Sequence, residues 1–293
     1  MLLIGALSSS ASLNEDLVVI RPFCGYHEGL NIRYFYDSMK LEILVAAHRP
    51  YVLSASDIYK PIEVGACSRK DIGLGGYRDN TGLNISEKNP NYCELTAVYW
   101  AWKNLPSDVT HIGLVHYRRY FGKRRLFQRP VDCVLSLADF QKLLSSSNVL
   151  LPPKRNYFIE TVRSQYVHAH HAKDLEVLEQ VLRERFPNYL EAFDTVMNGR
   201  RTHIFNMFVM RRDFFNHYCE FLFSVLSEVE RRLDISSYSK NDARVFGFLS
   251  ERLLDVWLMT NQISYSETSL VFTEPTNWIK KGAGFLLRKF GFR

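Results

Sequence analysis

The chain has 293 residues, of which 46% are hydrophobic and 14% aromatic, and its formal net charge is +6. This length and composition allow a substantial buried core, which excludes an intrinsically disordered protein. The five cysteines are widely spaced and contain no C-x-x-C pair, which argues against a disulfide framework or a zinc ribbon and favours a reducing cytoplasm.

The positive charge is concentrated at the C-terminal end. Residues 276–293 contain five basic residues and no acid, interleaved with aromatic and aliphatic residues at helical spacing. This mixture is typical of an interfacial helix on anionic lipid, although Gly282, Gly284 and Gly291 leave a flexible basic tail as the alternative. A nucleic-acid binder would spread its basic residues over a folded face, so no nucleic-acid partner is predicted.

Residues 1–38 show no clear periodicity, and their apolar start lacks the basic region of a signal peptide. We expect them to be an appendage to a domain over residues 39–275, followed by the membrane-association tail at 276–293. No run of about 18 apolar residues occurs, so no membrane span is predicted.

The first predicted strands run over residues 41–47 and 62–64, and a central buried strand covers residues 112–115. In an open α/β sheet the ligand crevice lies beyond the carboxyl ends of the strands. Those ends carry His48 and the run His116, Tyr117, Arg118 and Arg119. Adjacent guanidinium groups favour an anionic ligand such as a phosphate, and a solvated or salt-bridged strand end is the alternative.

A long polar loop at residues 71–91 is expected to be functional or, alternatively, a well-satisfied surface loop. Asn91 and Glu94 have the spacing of a capping box ahead of a helix whose aromatic stripe is typical of a core face. The N-terminus of that helix suits a phosphate.

The second half predicts helices over residues 137–147, 174–186, 189–197, 213–233 and 242–261, with strands over 148–151 and 203–210. His168 and His171 could share a helical face, but no third metal ligand has a familiar spacing, so a metal site is not favoured. Glu251 lies beside an apolar stripe. It either pairs with Arg252 or Arg244, or points into the crevice as a general base.

Several long strings occur in order, among them DIGLGGYRDNTGLNISEKNPNYCELTAVYWAWKN, HIGLVHYRRYF, LPPKRNYFIETVRSQYVHAHHAKDL, FNMFVM and ARVFGFLSERLLDVWL. Over residues 40–273 they resemble a bacterial capsule, exopolysaccharide and O-antigen glycosyltransferase family long catalogued as a domain of unknown function. The resemblance implies an α/β, GT-A-like nucleotide-sugar fold with a mainly parallel central sheet and a helical C-terminal half.

The same resemblance implies an inverting transfer of galactofuranose from UDP-galactofuranose. The acceptor would be a glycan linked to undecaprenyl diphosphate, at the inner face of the cytoplasmic membrane, where the protein would be cytoplasmic and peripheral. UDP-galactopyranose or another hexose donor is an alternative, and so is a non-catalytic carbohydrate-binding subunit. Related folds hold a divalent cation on a D-x-D pair where this chain reads HYRR, so no cofactor is expected to be required, although a divalent metal stays open.

Residue roles follow from matching these strings. Glu251 is the first candidate for the catalytic base, Asp79 the second and His171 the third. The predicted donor-binding residues are His48, Arg78, Asp79, Asn84, Lys88, Asn89, His116, Tyr117, Arg118 and Arg119. The predicted acceptor-binding residues are Lys154, Arg155, Asn156 and Asn206.

Overall fold

A computed structural model of the protein describes residues 39–52 and 56–274. The predicted appendage at 1–38 and the predicted tail at 276–293 lie outside the described residues. Across the described part of the chain, no helix has the length and apolar character needed to cross a membrane.

The strands are short and the helices dominate the second half of the chain. In chain order the strands are β1 (Leu41–Ala47), β2 (Tyr59–Glu63), β3 (Tyr77–Arg78), β4 (His111–His116), β5 (Arg119–Phe121), β6 (Val149–Leu151), β7 (Arg155–Asn156), β8 (Arg201–Thr202), β9 (Phe208–Arg211), β10 (Ser266–Glu267) and β11 (Leu270–Phe272). The α-helices are α1 (Asn89–Tyr92), α2 (Leu95–Asn104), α3 (Leu137–Leu144), α4 (Val162–Ala169), α5 (Ala172–Arg185), α6 (Leu190–Asn198), α7 (Arg212–Arg232) and α8 (Val245–Thr260).

The central sheet has the order β10-β6-β9-β4-β1-β2-β3, and β5 joins β4 to β11 at its side. Strand β1 pairs in parallel with both β2 and β4, so the carboxyl ends of these three strands meet at one edge. Strand β9 lies antiparallel between β4 and β6. The predicted α/β class with a mainly parallel central sheet is confirmed.

Successive side chains along a strand point to opposite faces of the sheet, so the core is divided into two clusters, one on each face. In β1, Leu44 and Ala46 pack into the larger cluster with most of the helices, whereas Ile43 and Val45 pack into a smaller cluster on the opposite face. Strand β9 alternates in the same way, with Phe208 facing the helices. The sheet is therefore covered on both faces, which explains why its strands read as continuous apolar runs.

Helix α8 is buried on nearly all sides rather than on one face. The predicted stripe of Phe246, Leu249, Leu253 and Trp257 is at most 1% exposed, and the charged side chains Arg252 and Asp255 are buried as well, each 3% exposed. A helix buried all round forms the centre of a domain rather than its surface. Glu251 lies on this helix, so its position is fixed by the packing of the core.

Two predictions about local structure are wrong. The strand predicted from residue 203 begins only at Phe208, because Phe205 and Asn206 have left-handed backbone angles of φ 80° and 52°. The capping box of Asn91 and Glu94 is absent, because Cys93 at φ 53° separates α1 from α2 and the two side chains bond elsewhere.

The polar loop at residues 71–91 is organised around Asp79, which is fully buried. Its carboxylate accepts hydrogen bonds from the backbone N–H groups of Gly65 (2.7 Å) and Ala66 (2.9 Å) and from the hydroxyls of Ser86 and Thr96. Gly65 has φ 67° and approaches Asn89 too closely to admit a Cβ. The loop is therefore a well-satisfied structural element, as the alternative interpretation predicted.

Replacement of Asp79 tests this account of the loop. Asp79→Ala leaves two buried N–H groups and two hydroxyls without their acceptor, so we expect the free energy of unfolding to fall by about 3 kcal/mol. The exposed Asp71 in the same loop is the matched control, and Asp71→Ala should change stability by less than about 0.5 kcal/mol. Urea denaturation measures both, and equal effects of the two variants would contradict a central role of Asp79.

Candidate active site

A cavity of about 530 Å³ opens at the carboxyl ends of β1, β2 and β4. Ala46 and His48 line it from the end of β1, Val64 from the end of β2 and His116 from the end of β4, while Arg244 and Glu251 close it from the α8 side. The remaining lining residues are Arg69, Asn89, Pro90, Cys93, Glu94, Tyr117, Arg118, Arg119, Phe205, Lys240 and Ala243. The cavity therefore lies where the strand ends predicted a ligand crevice.

The wall of this cavity carries more positive than negative charge. Five basic side chains, Arg69, Arg118, Arg119, Lys240 and Arg244, face two carboxylates, Glu94 and Glu251. Burial lowers the pKa of His48, and nearby guanidinium groups lower it further. His48 is thus kept neutral beside the cations, and the site is suited to an anion with more than one negative charge.

His116 is fixed by the chain segment ahead of β9. Its Nε2 lies 2.7 Å from the backbone carbonyl oxygen of Phe205. Because a carbonyl oxygen only accepts, Nε2 carries the proton. Burial lowers the pKa of His116, so the ring is neutral and its Nδ1 is an acceptor.

The next residues place guanidinium groups on aromatic faces. Arg118 lies 5.0 Å from the centre of the buried Tyr117 ring, and Arg119 lies 4.2 Å from the Phe205 ring. Burial lowers the pKa of Arg119, although an arginine remains charged. Glu274 lies 3.7 Å from Arg118, so the strand end is salt-bridged and also faces the cavity.

The sequence left two alternatives for Glu251, pairing with an arginine or facing the crevice. The structure shows both, since Glu251 lines the cavity and pairs with Arg252. Its Oε1 accepts from the N–H of Phe205 at 2.8 Å, and its Oε2 accepts from Arg252 at 2.7 Å. Burial raises the pKa of Glu251 despite these bonds, and the negative charge of Glu94 raises it further. The Glu251 side chain is 18% exposed, so the carboxylate is partly buried yet open to the cavity. A carboxylate with a raised pKa, held in place on a rigid helix, has the properties of a general base.

Glu94 is a cavity residue that the sequence analysis assigned to helix capping. Its Oε1 accepts from Asn206 Nδ2 at 2.7 Å, which turns the carboxylate towards Glu251 rather than back onto its own helix. The sequence did contain a signal for this role, because Glu94 lies at the start of the helix whose N-terminus was predicted to suit a phosphate. At that position its carboxylate adds a negative charge to the cavity.

Asn206 lies behind the cavity wall and is 4% exposed. Its Nδ2 also donates to the carbonyl oxygen of Gly247 at 3.1 Å, and its Oδ1 accepts from Ser250 at 2.8 Å. These bonds join the segment ahead of β9 to α2 and α8. Asn206 therefore positions Glu94 and does not itself line the cavity, so its predicted contact with the acceptor is not supported.

Of the predicted donor-binding residues, His48, Asn89, His116, Tyr117, Arg118 and Arg119 line the cavity. Asp79 is enclosed by its four donors and is unsuited to act as a base. Arg78 pairs with Glu63 at 3.1 Å, Asn84 bonds within its own loop, and Lys88 pairs with Glu230 at 2.7 Å. These four residues hold the loop and do not line the cavity.

The other predicted site residues lie outside the cavity wall. His171 precedes α5, stacks on Tyr238 at 4.2 Å and lies 3.7 Å from Asp242, so it does not reach the cavity as a third candidate base. Lys154 pairs with the buried Asp255 at 3.2 Å. Arg155 is exposed, and Asn156 accepts from the N–H of Phe158. Their predicted acceptor contact would require a ligand that extends beyond the cavity.

Three cations that line the cavity were missed. Arg244 was considered only as a partner for Glu251, and its Nε instead lies 3.2 Å from Cys93 Sγ. Arg69 and Lys240 lie in segments without helical or strand periodicity. Only the long-range packing of the loops brings them to the cavity.

At the end of β4, His116 offers one acceptor, Nδ1, while the guanidinium groups of Arg118 and Arg119 beside it repel a divalent cation. Within residues 39–52 and 56–274, no group of three His, Cys, Asp or Glu side chains could hold a metal ion. His168 instead pairs with the buried Glu160 at 2.5 Å.

Comparison with known proteins gives one family and one related structure. Residues 42–262 match the family described as "Domain of unknown function (DUF4422)". A comparison with curated proteins gives no match. The chain is similar to a solved apo structure described as the bifunctional glycosyltransferase WbbM, at 28% identity and a TM-score of 0.71. The match covers 80% of this chain, which spans about half, 46%, of the length of that one.

Replacement of Asn206 tests whether it holds the cavity wall together. Asn206→Ala removes three buried hydrogen bonds and strains a left-handed backbone, so we expect a loss of about 3 kcal/mol in unfolding free energy. Asn206→Gly relieves the strain and should cost less than Asn206→Ala. Ser250→Ala removes one of the bonds and should cost about 1 kcal/mol. Thermal and urea denaturation measure these values, and an Asn206→Ala variant no less stable than Ser250→Ala would contradict this role.

Proposed function

The chain belongs to the DUF4422 family, and we propose that it is a glycosyltransferase that moves a hexose from a UDP-sugar donor onto a glycan acceptor. The observation that carries this proposal is the juxtaposition, in one cavity, of five cations with a partly buried carboxylate of raised pKa. The similarity to a structure described as a bifunctional glycosyltransferase supports it. Because the chain spans about half of that structure's length, we propose one transfer activity.

The cations account for donor binding and for the leaving group. A UDP-sugar carries its negative charge on the diphosphate, and that charge increases when the bond to the sugar breaks. Arg118, Arg119 and Arg244 stabilise the departing UDP through charge-assisted hydrogen bonds. His48 contacts the uridine at the mouth of the cavity. Since the protein supplies these cations, transfer requires no divalent metal and no other cofactor.

Glu251 is the proposed catalytic base. It takes the proton of the acceptor hydroxyl while that oxygen forms a bond to the anomeric carbon. The bond between the anomeric carbon and the diphosphate oxygen breaks, and UDP leaves with the electron pair. Direct displacement of this kind inverts the configuration. The charge of Glu94 keeps Glu251 basic enough for this step despite its bond to Arg252.

The resemblance of the sequence strings supports a finer proposal. The donor is UDP-galactofuranose, and the acceptor is a glycan linked to undecaprenyl diphosphate in capsule, exopolysaccharide or O-antigen synthesis. The protein works in the cytoplasm at the inner face of the membrane, with the basic residues of 276–293 against anionic lipid. A panel of UDP-hexoses offered with a lipid-linked acceptor distinguishes this from galactopyranose transfer. Failure to turn over any of these donors would favour a carbohydrate-binding subunit.

Nucleotide affinity tests the assignment of the cations. We expect Arg118→Gln and Arg244→Gln each to weaken UDP binding about tenfold, because each removes a charge-assisted hydrogen bond to the diphosphate. Arg124→Gln changes an exposed arginine outside the cavity and should bind UDP as tightly as the wild type. Titration calorimetry measures all three, with and without EDTA. If EDTA abolishes binding and manganese restores it, metal-independent binding is wrong.

The pH dependence of transfer tests the two carboxylates. Because the base must be ionised, the rate falls on the acid side of the raised Glu251 pKa. Glu94→Gln removes a negative charge that raises this pKa, so ionisation becomes easier and the acid limb should move to lower pH. Rate profiles of the wild type and Glu94→Gln measure the shift.

The Glu251→Gln variant is the control for this experiment. It should lower kcat by about 10² or more and leave UDP affinity unchanged. If Glu94→Gln abolishes transfer while Glu251→Gln only shifts the limb, Glu94 is the base instead.

A further inference from the structure

Strands β7 and β8 form a small antiparallel sheet of their own, although α4, α5 and α6 separate them in the chain, and the segment after β7 presents two apolar side chains to solvent. Phe158 is 73% exposed and Ile159 is 61% exposed, although the buried Tyr157 and Glu160 flank them. We call Arg155, Phe158, Ile159, Arg200 and Arg201 the β7–β8 patch. None of the functions assigned to the cavity uses its apolar pair.

Specific hydrogen bonds hold the backbone of this apolar pair in place. Phe158 has a left-handed φ of 56°, which is rare for a bulky residue. Its N–H donates to Asn156 Oδ1 at 2.9 Å, and its carbonyl oxygen accepts from Arg200 at 3.1 Å. Backbone strain persists where the surrounding structure enforces it, and such sites are often functional.

The patch is basic as well as apolar. Arg155, Arg200 and Arg201 are exposed, and residues 154–159 and 199–203 contain no acid. The neighbouring Glu160 is 5% exposed and pairs with His168, so its charge does not face solvent. Three guanidinium groups therefore surround two exposed apolar side chains.

The fold connects the β7–β8 patch to the proposed catalytic base. Strand β6 runs parallel to β4, because both are antiparallel to β9. Strand β7, which follows β6, therefore lies at the edge of the sheet where the cavity opens. Thr202 donates to Asp255 at 2.8 Å, and Lys154 pairs with the same carboxylate. Asp255 lies one helical turn after Glu251 on α8. The position of the patch relative to the base is thus fixed.

We propose that the β7–β8 patch docks on the surface of an anionic lipid bilayer. Phe158 and Ile159 enter the boundary between headgroups and acyl chains, and the three arginines meet lipid phosphates. Two exposed side chains are too few for a stable protein interface, which needs about 800 Å² from each partner. A bilayer has no such threshold, since each apolar or basic residue adds to its affinity. If the proposed function holds, this docking brings the cavity to the membrane surface, where a lipid-linked acceptor lies.

Vesicle binding tests the proposal in the absence of donor or acceptor. We expect the protein to bind vesicles of phosphatidylcholine mixed with phosphatidylglycerol, and to bind them less in high salt. Phe158→Ser with Ile159→Ser should weaken binding at least about tenfold, and Arg201→Gln should weaken it less. Because the tail is itself predicted to bind lipid, each variant is made in a full-length chain with glutamine at Lys280, Lys281, Arg288, Lys289 and Arg293.

The loop at residues 123–129 is the comparison surface, because it is also basic and exposes Leu126 (86%) and Phe127 (105%). It follows β5, which runs antiparallel to β4 and so leads away from the edge of the sheet where the cavity opens. Because this loop also adds to lipid affinity, Leu126→Ser with Phe127→Ser should weaken vesicle binding, but less than the patch variant, Phe158→Ser with Ile159→Ser, does. If the loop variant loses as much binding as the patch variant, or more, the proposal is wrong. It is also wrong if the patch variant only dissolves a dimer detected by light scattering, because the patch is then a protein interface.

A second measurement separates this proposal from the proposed function. The variant Phe158→Ser with Ile159→Ser should transfer sugar to a water-soluble glycoside acceptor at the wild-type rate and lose transfer to an acceptor embedded in vesicles. Loss of both activities in a folded variant would mean that the β7–β8 patch shapes the cavity rather than docks on lipid. If the wild type transfers to neither acceptor, the proposed function fails, while the vesicle-binding result still decides the docking proposal.

Discussion

The turn formed by Phe205 and Asn206 is the constraint on which the cavity depends. The backbone N–H of Phe205 fixes Glu251, its carbonyl oxygen fixes His116, and the Asn206 side chain fixes Glu94. These three side chains come from α8, β4 and the start of α2, which are far apart in the chain. Both turn residues are left-handed. Two strained peptide units thus set the relative positions of one imidazole and two carboxylates.

The electrostatic character of the site follows from this arrangement. A carboxylate is stable in its ionised form among cations, but burial and a second carboxylate both oppose ionisation of Glu251. The arginines therefore have two effects. They favour an anionic ligand, and their positive charge offsets the repulsion between the two carboxylates that line the same cavity. In the proposed transfer, departure of the anionic product would change this balance, so proton transfer and loss of the leaving group would be coupled.

The sequence predicted the framework of the fold well. β1 matches its predicted range, because a buried parallel strand is a continuous apolar run that ends at a ligand site. α6 (Leu190–Asn198) lies within one residue of its predicted range, 189–197. The run at residues 116–119 predicted the cavity correctly because strand direction alone determines where strand ends meet.

The prediction was less successful where loops and long-range contacts decide the structure. Asp79 is an acidic residue in a polar loop, which is typical of a site residue. Its four hydrogen-bond donors come from separate positions in the chain, and only the packing of the fold shows that they enclose it. Asn206 was predicted to lie within a strand, because the hydrophobic pattern of the sequence does not reveal a residue with left-handed backbone angles. Arg69 and Lys240 reach the cavity through folding of irregular segments, for which hydrophobic periodicity contains no information.

The most direct test of the account is a crystal structure of the full chain with UDP bound. We expect the diphosphate oxygens to lie within hydrogen-bond distance of Arg118, Arg119 or Arg244. We expect the uridine beside His48, and Glu251 facing the position that the sugar would occupy. A nucleotide bound elsewhere, or a diphosphate held by a divalent cation with the arginines turned away, would contradict it.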